Sequence, residues 1–412
     1  MKKFEKYAAN ENNPNWDKII SRQSPLYNRN NFMRSEFERD YTRIIHSTAY
    51  RRLKHKTQVF FSPENDHICT RIEHVTHVES ISYTIAKNLG LNTELTKAIA
   101  VAHDVGHSPF GHEGEKILSE ISNKDLGISF WHEKNGLELV DNIELLEDTE
   151  RFKQNLDLTY AVRDGIISHC GEMNQKSIQK RNEYIDFKDY QYPGQYNPYT
   201  WEGCVVKMSD KIAYLARDIE DALRLNIIDE KQVEQLKKEI NMISSYHFDA
   251  INNGTIVNYF ILDVCQNSSL EKGICLSDEA FEVMKKMMSF NYKNIYLIDR
   301  IEVHTNYVQL ILNSIFQFLY KYETIAKENQ INVIEALKED QKKYPITIQG
   351  YIHWLEKYSQ MRDFKRNTHY QNHIIYDFDN DSKAMVKSII DYLSGMSDAY
   401  ILKIFNEFIS FS

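Results

Sequence analysis

Seven of the fifteen histidines fall between positions 67 and 132, and three of them stand in the run Ala102-His103-Asp104-Val105-Gly106-His107-Ser108-Pro109-Phe110-Gly111-His112. Neutral imidazole beside an ionised carboxylate supplies the nitrogen and oxygen donors that catalytic divalent ions take. Helical spacing adds two more groups. Arg71 and His74 are three apart and project from one side of a helix, offering a cation and a metal donor to one pocket. Asp210, Tyr214 and Asp218 step by four with Lys211 beside them, so two carboxylates, a phenol and an ammonium form one stripe. Burying such a stripe is costly unless a ligand or partner satisfies it. The plain alternative is a solvated face with Lys–Asp pairs; next to the histidine cluster, the pocket is the better reading.

These groups need rigid elements to hold them. Ile72, Val75, Val78, Ile81, Ile85 and Leu89 step by three and four, which predicts a helix over 71–89 that Gly90 stops. Asn92 is placed to cap a second helix through Ala102, ended by Gly106 and Pro109. After Trp201, the spacing of Val205, Met208, Ile212, Leu215, Ile219 and Leu223 predicts a long helix carrying the Asp210 stripe. Further amphipathic stretches lie around 229–242, 277–290, 306–328 and 384–408. Residues 172–200, with Pro193, Gly194 and Pro198, read as a long loop suited to a lid over a site. Thr347 to Trp354 and Asn252 to Tyr259 read as short extended pieces. Prolines are sparse, seven in 412 residues, against an average of about 5%, and the fold class expected is all-α.

With 42% hydrophobic and 26% charged residues the chain has the composition of a globular protein with a sizeable core. No run approaches the roughly 18 consecutive apolar residues of a membrane span, and the opening Met1-Lys2-Lys3-Phe4 lacks the apolar centre of a signal peptide. The compartment expected is the cytoplasm. Five widely spaced cysteines form no C-x-x-C pair and suggest reduced thiols. A net charge of −9 argues against nucleic acid as the main partner but leaves room for a local basic phosphate pocket. His46 and His55 sit in a basic run with Arg43, Arg51, Arg52, Lys54 and Lys56, a solvated face by default. His67, His77, His169 and His247 read as surface or satisfied core histidines.

Three runs, Thr70-Arg71-Ile72-Glu73-His74, Ala102 through His112, and Ser209-Asp210-Lys211-Ile212-Ala213-Tyr214-Leu215-Ala216-Arg217-Asp218, together resemble the HD-domain deoxynucleoside triphosphate triphosphohydrolases, the dGTPase-like branch. The likeness extends to Arg51 through Phe60, to Tyr160 through Ile166 and to Asp391-Tyr392-Leu393-Ser394-Gly395-Met396-Ser397-Asp398, and so spans nearly the whole chain. The His-Asp pair alone is a superfamily signal shared with phosphodiesterases and nucleotidases. The Gly-His-Ser-Pro-Phe-Gly-His extension and the Asp-Lys-x-x-Tyr-x-x-x-Asp stripe are far more specific. The resemblance implies an HD-domain metal-dependent phosphohydrolase fold with additional C-terminal helices. It implies one unit over 1–412, with the metal-bearing core over 66–225 and a C-terminal helical region over 226–412.

It further implies His74, His103, Asp104 and Asp210 as ligands of a divalent metal, with Mn, Fe, Mg and Zn not distinguished. Arg71, Lys211 and Tyr214 are implied to contact the triphosphate, Gln58 and Asp218 the 3′-hydroxyl of the sugar. His107, His112 and His132 are implied to stand around the α-phosphate, either His107 or His112 protonating the leaving oxygen. Lys293-Asn294-Ile295-Tyr296 resembles a stretch that adds a phosphate or sugar contact; base recognition has no sharp motif. A further Mg travels with the triphosphate. The implied reaction turns a dNTP, foremost dGTP, into deoxynucleoside and inorganic triphosphate. The implied partners are the dNTP substrate, a second nucleotide as activator, and copies of the chain in a homo-oligomer such as a hexamer, with no membrane. Two other readings stand beside it: a nucleotidase-like HD phosphohydrolase on other nucleotides, and a nucleotide-sensing module without turnover.

Overall fold

Helices form where apolar spacing is densest, and they dominate the residues described by this computed structural model, namely 2–24, 33–61, 65–148, 150–170 and 175–410. β-Structure among them is confined to short pairings. Leu145–Glu147 lies antiparallel to Lys153–Asn155, Ser177–Ile178 antiparallel to Ile274–Cys275, and Ser359–Gln360 parallel to Tyr376–Asp377. The all-α expectation holds. No helix among the described residues is long and apolar enough to cross a membrane.

The chain forms two compact units, each assembled from three segments. The first comprises Met1–Ile45, Gln58–Asp104 and Leu158–Val303; the second comprises His46–Thr57, Val105–Asp157 and His304–Ser412.

In the first unit the Arg71–Leu89 helix packs on the Thr93–Ala102 and Trp201–Arg224 helices. Val75, Val78, Ile81, Ile85 and Leu89 are buried on one, Val205, Met208, Ile212, Leu215 and Ile219 on another, as the three-and-four spacing requires. Gly90 ends the first helix at φ 87°, a backbone conformation that costs glycine nothing. Asn92 Oδ1 caps the next by accepting from Glu94 N and Leu95 N. The excursion after residue 175 is pinned rather than loose. Arg181 pairs with buried Asp164, whose other oxygen accepts from Tyr199 N at 2.7 Å, and Arg181 Nη1 donates to Asn197 O at 2.7 Å.

In the second unit, Gly111–Asp125 packs on Ala384–Ser394, and Leu139, Ile143, Tyr358, Tyr376 and Ala384 share a core. Two expectations fail. Thr347 to Trp354 belongs to a helix, Pro345–Tyr358, and Asn252 to Tyr259 lies at the start of another, Asn253–Asn267. β-Branched residues suggested strands there, but what decides is burial: Ile348, Tyr351, Ile352 and Leu355 present one helical stripe, Ile256, Tyr259, Phe260 and Val264 another. The stretch expected over 384–408 is two helices, Ala384–Ser394 and Asp398–Ile409, the second capped by Ser397.

Candidate functional site

The first unit brings His74, His103 and Asp210 together from three helices, with their donor atoms within 4.8 Å of one another. His74 Nε2 donates to Asp210 Oδ1 at 2.9 Å. His103, at the end of the Thr93–Ala102 helix, donates from Nδ1 to Ala100 O at 2.7 Å, which fixes its tautomer and leaves the Nε2 lone pair for other use. That Nε2 is buried without a hydrogen bond, 3.8 Å from Asp104 Oδ1 and 3.7 Å from Asp210 Oδ1. A buried nitrogen lone pair facing two carboxylates is costly by itself and is what a divalent cation would satisfy. Asp104 lies beside this trio rather than in it, its Oδ2 held by Arg71 Nη1 at 2.7 Å.

Electrostatics favour the charged forms. Burial alone would raise the Asp210 carboxyl, but the close approach of His103 and the hydrogen bond from His74 hold it well below the usual carboxylate range. Burial works to lower the His103 imidazole; Asp104 and Asp210 outweigh it and the net shift is upward, so the two carboxylates draw positive charge, a proton or a metal ion, to its Nε2.

The second unit gathers His107, His112, Glu115 and His132 within the same 4.8 Å limit. His107 and His132 are buried with ring centroids 3.8 Å apart, while the His112 side chain is largely exposed. Glu115 organises them. It accepts from His132 N at 3.0 Å, lies 3.1 Å from His132 Nδ1 and 3.4 Å from His112 Nδ1. Burial would raise its carboxyl, but His132 and His112 drive it far below the ordinary range. Gly106 is obligatory here, because a Cβ would collide with the backbone of His132 and Gly136.

Residues 71–236 match the HD domain family model. Over 291 residues, 69% of this chain and 74% of its relative, the sequence is 37% identical to a deoxyguanosinetriphosphate triphosphohydrolase-like protein of Desulfatibacillum aliphaticivorans. The chain belongs to the deoxyguanosinetriphosphate triphosphohydrolase-like family. A relative of the same description from Clostridium tetani is 31% identical over 374 residues, 91% of this chain and 85% of the other. One from Rickettsia bellii is 30% identical over 400 residues, 92% of each. Membership makes the protein an HD-type phosphohydrolase, and the HD domain implies a divalent metal for which the His/Asp donors above are suited.

The dGTPase-like stripe on the Trp201–Arg224 helix is not a solvated face: Lys211 and Asp218 are buried and Tyr214 half-buried. Tyr296 OH donates to Asp218 Oδ2, so the Lys293–Tyr296 stretch does reach the stripe. Burial raises the Tyr214 phenol, with Asp210 and Asp218 adding to the effect. Gln58 Oε1 is buried without a hydrogen bond, and Arg71 Nη2 reaches the Gln58 carbonyl at 3.5 Å.

Two residues beside these clusters were not singled out from the sequence. Glu115 was visible as the i+3 neighbour of His112. His169, set aside as a core or surface residue, is buried with its ring centroid 5.0 Å from that of His103. His67 and His247 are exposed, and His77 is half-buried against Arg217. Lys56, read as part of a solvated basic run, is fully buried.

Asp218 makes a pH prediction. Burial pushes its carboxyl up to about 7, against the lowering effect of the Tyr296 hydrogen bond. The folded state therefore holds this proton more tightly than the unfolded chain, and the group costs stability as pH rises from about 4 to about 7. In metal-free protein, Asp218→Asn should gain stability over the parent across that window and keep a level advantage above it. Thermal melts between pH 5 and 8 measure this; a pH-independent difference would contradict the buried-carboxyl assignment.

Proposed function

We propose that this phosphohydrolase converts a deoxynucleoside triphosphate, foremost dGTP, to the deoxynucleoside and inorganic triphosphate in the cytoplasm, with His74, His103, Asp104 and Asp210 holding a divalent ion. The observation that carries the reading is the buried, unpartnered His103 Nε2 facing Asp104 and Asp210, with its Nδ1 engaged by a backbone carbonyl. When bound, the cation supplies Lewis acidity and water of lowered pKa.

The chain's own residues do the rest. Arg71, Lys211 and Tyr214 bind the triphosphate, whose negative charge is also neutralised by a Mg ion that accompanies it. Arg71 has one guanidinium nitrogen on Asp104 and its Nε without a hydrogen bond. Gln58 and Asp218 orient the sugar through its 3′-hydroxyl, Gln58 with an acceptor that is otherwise unsatisfied. His107 or His112, assisted by His132, delivers the proton to the departing 5′-oxygen, with Glu115 holding the imidazoles in place. The active form is proposed to be a homo-oligomer responsive to a second nucleotide.

The test is incubation with each of the four dNTPs, singly and in pairs, with metal, in water enriched in heavy oxygen. Water attacks the α-phosphorus and the bond to the 5′-oxygen breaks, so chromatography should find nucleoside and intact triphosphate, with label only in the triphosphate. Pyrophosphate with a monophosphate, or label on the nucleoside, would overturn the reading. Release of phosphate from monophosphates alone would favour the nucleotidase alternative, and metal-dependent binding without products the sensing module.

A further inference from the structure

The Asp391–Asp398 run has no role in the chemistry above, yet within the second unit it reaches the loop that carries His107 and leads into His112. Asp398 is buried at the start of the Asp398–Ile409 helix. Its Oδ1 accepts from Phe110 N at 2.8 Å, and its Oδ2 accepts from Thr57 N at 2.8 Å and Thr57 Oγ1 at 2.5 Å. Phe110 sits at φ 60°, left-handed backbone that a bulky residue keeps only where its surroundings over-determine it. Gly111 and His112 follow directly.

The other end of the loop is held by the same run. Lys56 Nζ donates both to His107 O and, at 3.2 Å, to Ser394 O. Ser394 Oγ donates to Asn135 Oδ1 at 3.1 Å, and Asn135 Nδ2 donates to Gly106 O at 2.6 Å. Between these anchors Ser108 Oγ closes the loop on Gly111 O at 2.9 Å. The loop from Gly106 to Gly111 is thus tied at both ends, with His107 inside it and His112 just beyond.

We propose that Asp398 is a positioning residue: by locking Phe110 and tying it to Thr57, its carboxylate sets the directions in which His107 and His112 point. The inference rests on the reading in which those imidazoles transfer protons. It also makes a geometric claim that stands apart from that reading.

Asp398→Asn isolates the claim, because an amide has one accepting oxygen and would turn its N–H₂ toward a backbone or hydroxyl donor. In the metal-loaded full-length protein, kcat should fall roughly 10- to 100-fold with KM little changed, since misplacing a reacting group by about 1 Å can cost that much. With ¹⁵N-labelled histidine, the ring resonances of His107 and His112 should shift or broaden while those of His74 and His103 hold. Should that variant fail to fold, Thr57→Val removes a single donor to the same carboxylate and should give a smaller change of the same kind, which Thr57→Ser restores. A lowered melting temperature with unmoved His107 and His112 rings would overturn the proposal, as would a rise in KM at constant kcat. If no dNTP were hydrolysed at all, the function reading would fail, and the ring resonances would still decide this one.

Discussion

Asp210→Ala should abolish metal retention and turnover together while leaving the protein folded. Asp210 is the carboxylate that meets both His74 and His103. Its side chain is 19% accessible, and among the described residues it pairs with no guanidinium. Its loss removes a donor without stranding a buried cation. If the bound ion supplies several kcal/mol of transition-state stabilisation, turnover falls on the order of 10³-fold or more. Metal analysis, circular dichroism and product assays on the same preparation check this. Normal metal content with normal activity would remove Asp210 from the ligand set.

Asp104→Ala should behave differently and unfold more readily. Asp104 pairs with Arg71 at 2.7 Å with both side chains almost fully buried, 4% and 2% exposed. Removing one partner of such a pair leaves an uncompensated charge inside the protein, a cost of about 3–5 kcal/mol. Denaturant unfolding of metal-free protein should show that loss in full, so the defect cannot be ascribed to missing metal. Asp104→Asn, which keeps an acceptor for the guanidinium, should lose less. Equal stability of Asp104→Ala and parent would mean that Arg71 finds water or another partner. The family resemblance implies Asp104 as a ligand, and only the contact with Arg71 reveals its part in holding a buried charge.

That contrast runs through the whole molecule. The Arg71–Leu89 helix, its glycine stop and the Asn92 cap were legible because their signals are local: apolar period, a left-handed glycine and a side-chain acceptor two residues from its donor. The grouping of His74, His103 and Asp210 came through the family motifs, since nothing local says that positions 74 and 210 meet. Thr347 to Trp354 was misread because β-branched residues spoke for a strand while the partner surface, absent from any window of sequence, selected a helix. Asp398 lay in plain view within a recognised run, but its effect depends on Thr57 and Phe110, far away in the chain.

Helix length is a chemical variable in this protein. The final carbonyls of a helix lack partners within it, and here Ala100 O finds one in the imidazole of His103, as Ile166 O does in that of His169. The bond that finishes each helix also chooses which ring nitrogen is basic. A one-residue insertion before His103 would leave every donor type present, yet it would rotate the imidazole by about 100° around the axis and break the bond that selects its tautomer. Along this segment the length of the helix matters as much as the identity of the ring.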